Sequence, residues 1–208
     1  MSQYIKVKYR NNEINGVIIT NTIKMLLKRH KIYSENKVTA ILASLKDSVS
    51  ESIVNLKISD KKYSVNITNG KLNSIPSNSP LDDFLTENLD VTKIIVVKNP
   101  SKRFVKQVYK YKNTEFFFFH DLLIDKTEPY FVPEHILLDD KEKELLQKKI
   151  KLKDLSTIFD TDMMGRYYRA KEGDVFKIIR PNPTCGNSIY YRLVQKGKLD
   201  ILFMNTKS

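Results

Sequence analysis

Residues 160–194, DTDMMGRYYRAKEGDVFKIIRPNPTCGNSIYYRLV, limit the possible folds more than any other stretch. Asp160 and Asp162 stand where a short helix can begin and can accept its free backbone N–H groups. Met163, Tyr167 and Ala170 follow at spacings of three or four, which places them on one helical face. Gly173 breaks that helix, and residues 175–179 form a β-branched and aromatic run. Pro181, Pro183 and Gly186 mark a connection. Residues 189–194 then alternate, with Ile189, Tyr191 and Leu193 on one face and Tyr190, Arg192 and Val194 on the other. The pattern predicts helix, strand, loop, strand, with the two strands antiparallel.

Upstream, periodicity divides the chain. Residues 22–33 predict an amphipathic helix with Ile23, Leu26, Leu27 and His30 on its apolar face and Lys24, Lys28, Arg29 and Lys31 on the other. Ser34 caps a second helix with the stripe Val38, Ile41, Leu42, Leu45 and Val49. The period then falls to two. Residues 53–58 and 63–67 read as strands, and Asn69-Gly70 signals a hairpin with its return strand over 71–75. Ser79 and Pro80 open a helix carrying Leu81, Phe84, Leu85 and Leu89. Residues 94–97 and 116–119 read as strands buried on both faces, joined by a basic helix that Ser101 caps. Strand, helix, strand implies a parallel pair. Asp139 and Glu142 form a capping box for a helix over 141–150, with Leu145, Leu146 and Ile150 turned inward. Leu152, Leu155 and Phe159 continue that apolar surface.

The 208 residues carry 36 Lys and Arg against 24 Asp and Glu, a formal charge of +12. The excess is eight over residues 1–125 and four over 126–208. The first part is therefore the better candidate for an acidic partner such as nucleic acid, set against the plainer reading of a lysine-rich solvated surface. Lys28, Arg29, Lys31, Lys102, Arg103 and Lys106 are the candidate phosphate contacts. Tyr109 and Tyr111 alternate with Lys110 and Lys112, as in a nucleic-acid groove or a half-buried edge. No helix-turn-helix, finger or RNP signature accompanies them. Cys185 is the only cysteine, so no internal disulfide is expected and a reducing compartment fits. The N-terminal MSQYIKVKYR has no apolar leader, and no segment approaches the roughly 20 apolar residues of a membrane helix.

Catalytic constellations are wanting. Neither GxxxxGK[ST] nor GxGxxG occurs, and three His and one Cys are too scattered for a zinc site. Glu134-His135 are adjacent, so they point in different directions. Asp160 and Asp162 cap more readily than they share a metal. A nuclease needs a carboxylate near a second acid that is followed two residues later by Lys. Glu115 is followed by Phe116 and Phe117 instead. No catalytic residue, cofactor or metal is expected.

RYY at 166–168, GDVFKIIRP at 173–181, CGNSIYYRLV at 185–194 and VPEH at 132–135 resemble, in order and spacing, the C-terminal assembly domain of the fifth subunit shared by eukaryotic nuclear RNA polymerases. The corresponding small subunit of archaeal polymerase consists of much the same domain. The resemblance is close over 127–195 and weaker before it. Departures are Met163 for the family's proline, Gly165 for its usual alanine, Pro129 for the first histidine of a His-x-x-x-Pro-Glu-His run, and a tail beyond Val194.

The resemblance implies a two-domain α+β and α/β chain. Residues 1–126 would form an α/β jaw domain, restriction-endonuclease-like but inactive. Residues 127–208 would form a small α+β assembly domain with an extra tail. It implies a non-catalytic subunit of a hetero-oligomeric DNA-dependent RNA polymerase, cellular or viral. Its partners would be the largest subunit, the shared sixth subunit and downstream double-stranded DNA. It would act inside the cell, in the nucleus if cellular and eukaryotic, and in a virion or a cytoplasmic replication site if viral. The candidate docking residues are Pro133, Glu134, His135, Arg166, Tyr167, Arg180, Tyr191 and Arg192. The alternative is a free-standing, non-specific DNA-binding α/β protein or degenerate nuclease.

Overall fold

The computed structural model describes residues 11–45, 52–128, 132–182 and 186–206. Val49, Pro129, Pro183 and Cys185 lie outside them. The chain divides into two compact units, Met1–Ile124 and Asp125–Ser208.

The first unit is built on one strand. β3 (Thr92–Pro100) buries its first six residues, and Ile94, Ile95, Val96 and Val97 are fully shielded. Complete burial of such side chains stabilises by roughly 1.5–3 kcal/mol each, so this strand must be central. It pairs in parallel with β2 (Lys61–Leu72) and with β4 (Thr114–Phe118). β1 (Ile53–Ile58) adds antiparallel to β2, giving the sheet order β1-β2-β3-β4. The crossovers are α3 (Pro80–Thr86) and α4 (Lys102–Val108), capped by the side chains of Ser79 and Ser101. α1 (Asn11–Arg29) packs on α2 (Glu35–Ser44) and on the short α5 (Phe119–Leu122), where Asn21 Nδ2 donates to Leu122 O at 2.8 Å.

Several expectations need correction here. α1 reaches N-terminally to Asn11 because Ile18 and Ile19 extend its buried face. Asn69-Gly70 is no hairpin: neither residue takes a positive φ, and β2 runs through them with a register shift between Thr68 and Lys71. The parallel pairing with β3 overrides the local turn propensity. Leu89 lies beyond the end of α3 and is 57% exposed. Phe119 leaves the strand and opens α5, because Asp121 Oδ2 accepts from Phe118 N at 3.0 Å.

In the second unit the sheet order is β5-β7-β8-β6. β5 (Glu134–Leu137) and β8 (Gly186–Gln195) flank β7 (Val175–Asn182) antiparallel, and β6 (Ser156–Phe159) joins β8 in parallel. The core gathers Ile158, Ala170, Phe176, Ile178 and Val194, with Leu137 and Tyr168 against it. α7 (Met163–Tyr168) covers this face, Tyr168 meeting Phe176 edge-on at 5.8 Å. Asp162 alone caps α7, accepting from Met164 N at 2.9 Å. Met164 and Tyr167 are the buried pair, with Met163 only half-buried, and the helix ends at Arg169 in the left-handed region rather than at Gly173. α6 (Asp140–Gln147) has the expected capping box, but Leu146 is its one buried residue; Leu145 is 60% and Ile150 41% exposed. The helix stops at Gln147, too short to turn three leucine-type positions onto one surface.

Candidate assembly surface and nucleic-acid face

Register sorts the second unit's candidates onto two faces of one sheet. Residues opposite one another share a face. His135 pairs with Ile178, Ile178 with Tyr190, Arg180 with Ser188, and Phe176 with Arg192. His135, Arg180, Tyr190 and Arg192 therefore stand on the face that carries the core; Arg180 and Tyr190 are exposed there, and His135 and Arg192 are half-buried beside Phe176. Arg180 lays its guanidinium 5.2 Å from the Tyr190 ring centre, and both residues are exposed. His135 Nδ1 donates to Pro133 O at 2.6 Å, fixing the tautomer, and its ring meets Phe176 at 5.8 Å. Burial holds this histidine below its ordinary pKa, and Arg192 and Arg180 push the same way. Tyr168 is raised to about 12, by burial first and then by Glu134 and Asp125.

Glu134 and Tyr191 fall on the opposite face. There Ile136, Ile179, Tyr191 and Leu193 are half-buried, and Ile189 and Phe159 are 51% and 41% exposed. Of this surface, sequence reasoning offered only Tyr191 and Glu134 as docking residues. The alternation Ile189, Tyr191, Leu193 was its signal, but the contribution of β6 was not legible.

Arg166, on α7, donates from Nε to Thr161 O at 3.2 Å and is half-buried. Tyr167 is 2% exposed, so it belongs to the interior and not to a docking surface: the turn of α7 that presents Arg166 outward turns the next residue in.

In the first unit, α4 buries Phe104, Val105 and Val108 and exposes Lys102, Arg103 and Lys106. Lys28 sits 4.9 Å from the Tyr33 ring centre, and Lys31 is exposed. Arg29 differs from these neighbours. Its Nη1 and Nη2 donate to Glu115 Oε1 and Oε2 at 3.0 and 2.7 Å, with both side chains more than nine-tenths buried. It is a structural cation and presents nothing to a phosphate. Glu115, the acid weighed for a nuclease, is thereby neutralised. Lys93, which sequence reasoning passed over, is 2% exposed; its Nζ donates to Leu85 O at 2.6 Å and to Glu87 O, closing the end of α3. Among the described residues no three His, Cys, Asp or Glu side chains gather as a metal site, and no helix is long and apolar enough to cross a membrane.

The family described as RNA polymerase Rpb5, C-terminal domain, matches residues 124–194. The DNA-directed RNA polymerase subunit Rpo5 of Thermofilum pendens is 44% identical over 75 residues, 35% of this chain and 94% of that protein. The subunit RPABC1 of DNA-directed RNA polymerases I, II, and III from Caenorhabditis elegans is 43% identical over 82 residues, 38% of this chain and 39% of the relative. DNA-directed RNA polymerase subunit 5 of Acanthamoeba polyphaga mimivirus is 30% identical over 134 residues, 64% of this chain and 65% of the relative. A small mixed sheet with these matches defines the class: a non-catalytic subunit of a multisubunit DNA-directed RNA polymerase, whose chemistry lies in the large subunits. Within that class, the chain belongs to the Rpb5 family.

Proposed function

We propose that the assembly domain, residues 127–208, docks on the largest polymerase subunit beside the shared sixth subunit. The observation that carries this reading is the second sheet face, where Ile189 at 51% and Phe159 at 41% exposure join half-buried Ile136, Ile179, Tyr191 and Leu193. The face also carries Lys177 and Glu134, and the exposed apolar area around these two charges calls for a cover. On the other face, exposed Arg180 and Tyr190 and half-buried Arg192 supply the planar forks and aromatic area that interfaces favour. The test is copurification with the largest subunit. Ile189→Asp and Arg192→Ala should each reduce it while the melting temperature holds, and truncation of an anchoring Arg should cost on the order of 2 kcal/mol in binding. Normal assembly of both variants would move docking elsewhere, to the Pro133–Glu134–His135 run first.

The jaw domain, residues 1–126, is proposed to be an inactive restriction-endonuclease-like fold that lies against downstream duplex DNA. The exposed row Lys102, Arg103 and Lys106 on α4 supports this, joined by Lys28 and Lys31. Such contacts reach phosphates and carry no base readout. The site of action is intracellular: the nucleus for a cellular eukaryotic polymerase, or a virion or cytoplasmic replication site for a viral one.

A further inference from the structure

The family match ends at Val194, yet the chain beyond it is built into the second unit. Asp160, at the end of β6, is bonded twice by this extension. Its backbone N–H donates to Gln195 O at 2.9 Å, and its Oδ1 accepts from Gly197 N at 2.7 Å. Asp160 thus serves the tail, not the cap of α7. Gly197 comes so close that a Cβ there would stand 2.0 Å from Thr161 Oγ1, 3.0 Å from Phe159 Cβ and 3.1 Å from Thr161 Cβ. Gly165 of α7 approaches the same corner as tightly; its added Cβ would lie 2.5 Å from Phe159 O and 2.9 Å from Asp160 O. After Gly197 the chain coils into a 3-10 spiral, Leu199–Thr206, and buries Leu202 to 8% exposure. The corner held in this way matters for one cation: Thr161, itself 6% exposed, gives its carbonyl to Arg166 Nε.

We propose that residues 195–206 are an intramolecular clamp. It holds the Phe159–Asp160–Thr161 corner and, through Thr161, sets Arg166 for docking, with Gly197 and Asp160 as its positioning residues. The docking half rests on the reading that Arg166 meets a partner subunit. Three kinds of change follow from the contacts. A chain ending at Gln195 loses the Gly197 bond and the Leu202 burial. Gly197→Ala keeps the tail but must push it from the corner. Asp160→Ala removes the acceptor alone.

The test joins amide hydrogen exchange of these variants with their affinity for the largest subunit, alone and in an Arg166→Ala background. Exchange across residues 161–167 should quicken about tenfold in the shortened chain and less in Gly197→Ala. Affinity should fall about threefold to tenfold, and should fall no further when Arg166 is already alanine. Unchanged exchange in both variants overturns the clamp. Quickened exchange with a loss of affinity that adds fully to that of Arg166→Ala overturns its action through Arg166. Should Arg166→Ala alone bind normally, the docking role of Arg166 fails, and the exchange result still decides the clamp.

Discussion

Glu115→Gln tests the buried ion pair that ties the end of α1 to β4. The pair is bidentate, at 2.7 and 3.0 Å, and both side chains are more than nine-tenths buried. Breaking such a pair from one side leaves a buried charge uncompensated and costs about 3–5 kcal/mol. Gln keeps one acceptor oxygen, so the lower end of that range applies to Glu115→Gln and the upper end to Glu115→Leu. For a chain of this size each kcal/mol moves the melting temperature by about 2–4 °C, which gives a fall of roughly 6–20 °C. Arg29→Met should lose a similar amount. The double variant Arg29→Met/Glu115→Leu should lie within about 1–2 kcal/mol of the parent, because two apolar side chains of similar volume replace the pair without an orphaned charge. Urea unfolding, read as midpoint and slope, measures all four corners of the cycle. Single losses below about 1 kcal/mol, or a double variant equal to the sum of its parts, would refute the buried pair.

Other measurements address separate elements. Gly165→Ala must displace backbone oxygens of Phe159 and Asp160, atoms that cannot rotate away, and should cost about 1–3 kcal/mol in urea unfolding; a neutral result would mean that α7 sits further from β6. Reversing Lys102, Arg103 and Lys106 to Glu should flatten the dependence of log K on log salt for duplex DNA by about 0.9 for each phosphate that is no longer neutralised, and an unchanged slope would shift the DNA face to Lys28 and Lys31. His135 has a folded pKa below its ordinary value of 6.5, so the unfolded chain takes the proton first as pH falls. Its stability contribution is complete above 6.5 and is lost as pH drops toward the folded value. His135→Gln should flatten the acid limb of a melting-temperature profile, and His30, lowered in the same direction by burial, Lys61 and Arg29, supplies a second share of it.

Strands whose residues are buried on both faces were legible because continuous apolar runs such as 94–97 and 116–118 have few other uses. Caps were legible for the same local reason: Ser79, Ser101, Asp139 and Asp162 each accept from an N–H two or three residues ahead. What misled was any signal decided by a distant partner. Asn69-Gly70 is a sound hairpin signal that a parallel neighbour overrules through eight paired positions of β2 and β3. Tyr167 looked like an interface tyrosine because nothing in RYY says which of its residues the helix turns inward. β6, only four residues long, carries no period of its own and is defined by its pairing with β8.

The two arginine-bearing stretches show why charge alone could not assign roles. Lys28, Arg29 and Lys31 read as one cationic edge in sequence, yet the middle residue folds back onto an acid 86 positions away. α4 is different in kind. Its basic residues alternate with Phe104, Val105 and Val108, and burying those three obliges Lys102, Arg103 and Lys106 to face outward. A basic residue that the buried face of its own helix turns outward is therefore a stronger candidate for phosphate than one within reach of a buried carboxylate. The same logic favours Arg192 over Arg166 as a docking anchor. Arg192 is held by a strand flanked on both sides by β7 and β6, whereas Arg166 depends on a six-residue helix and on the carbonyl of Thr161, the residue against which Gly197 packs.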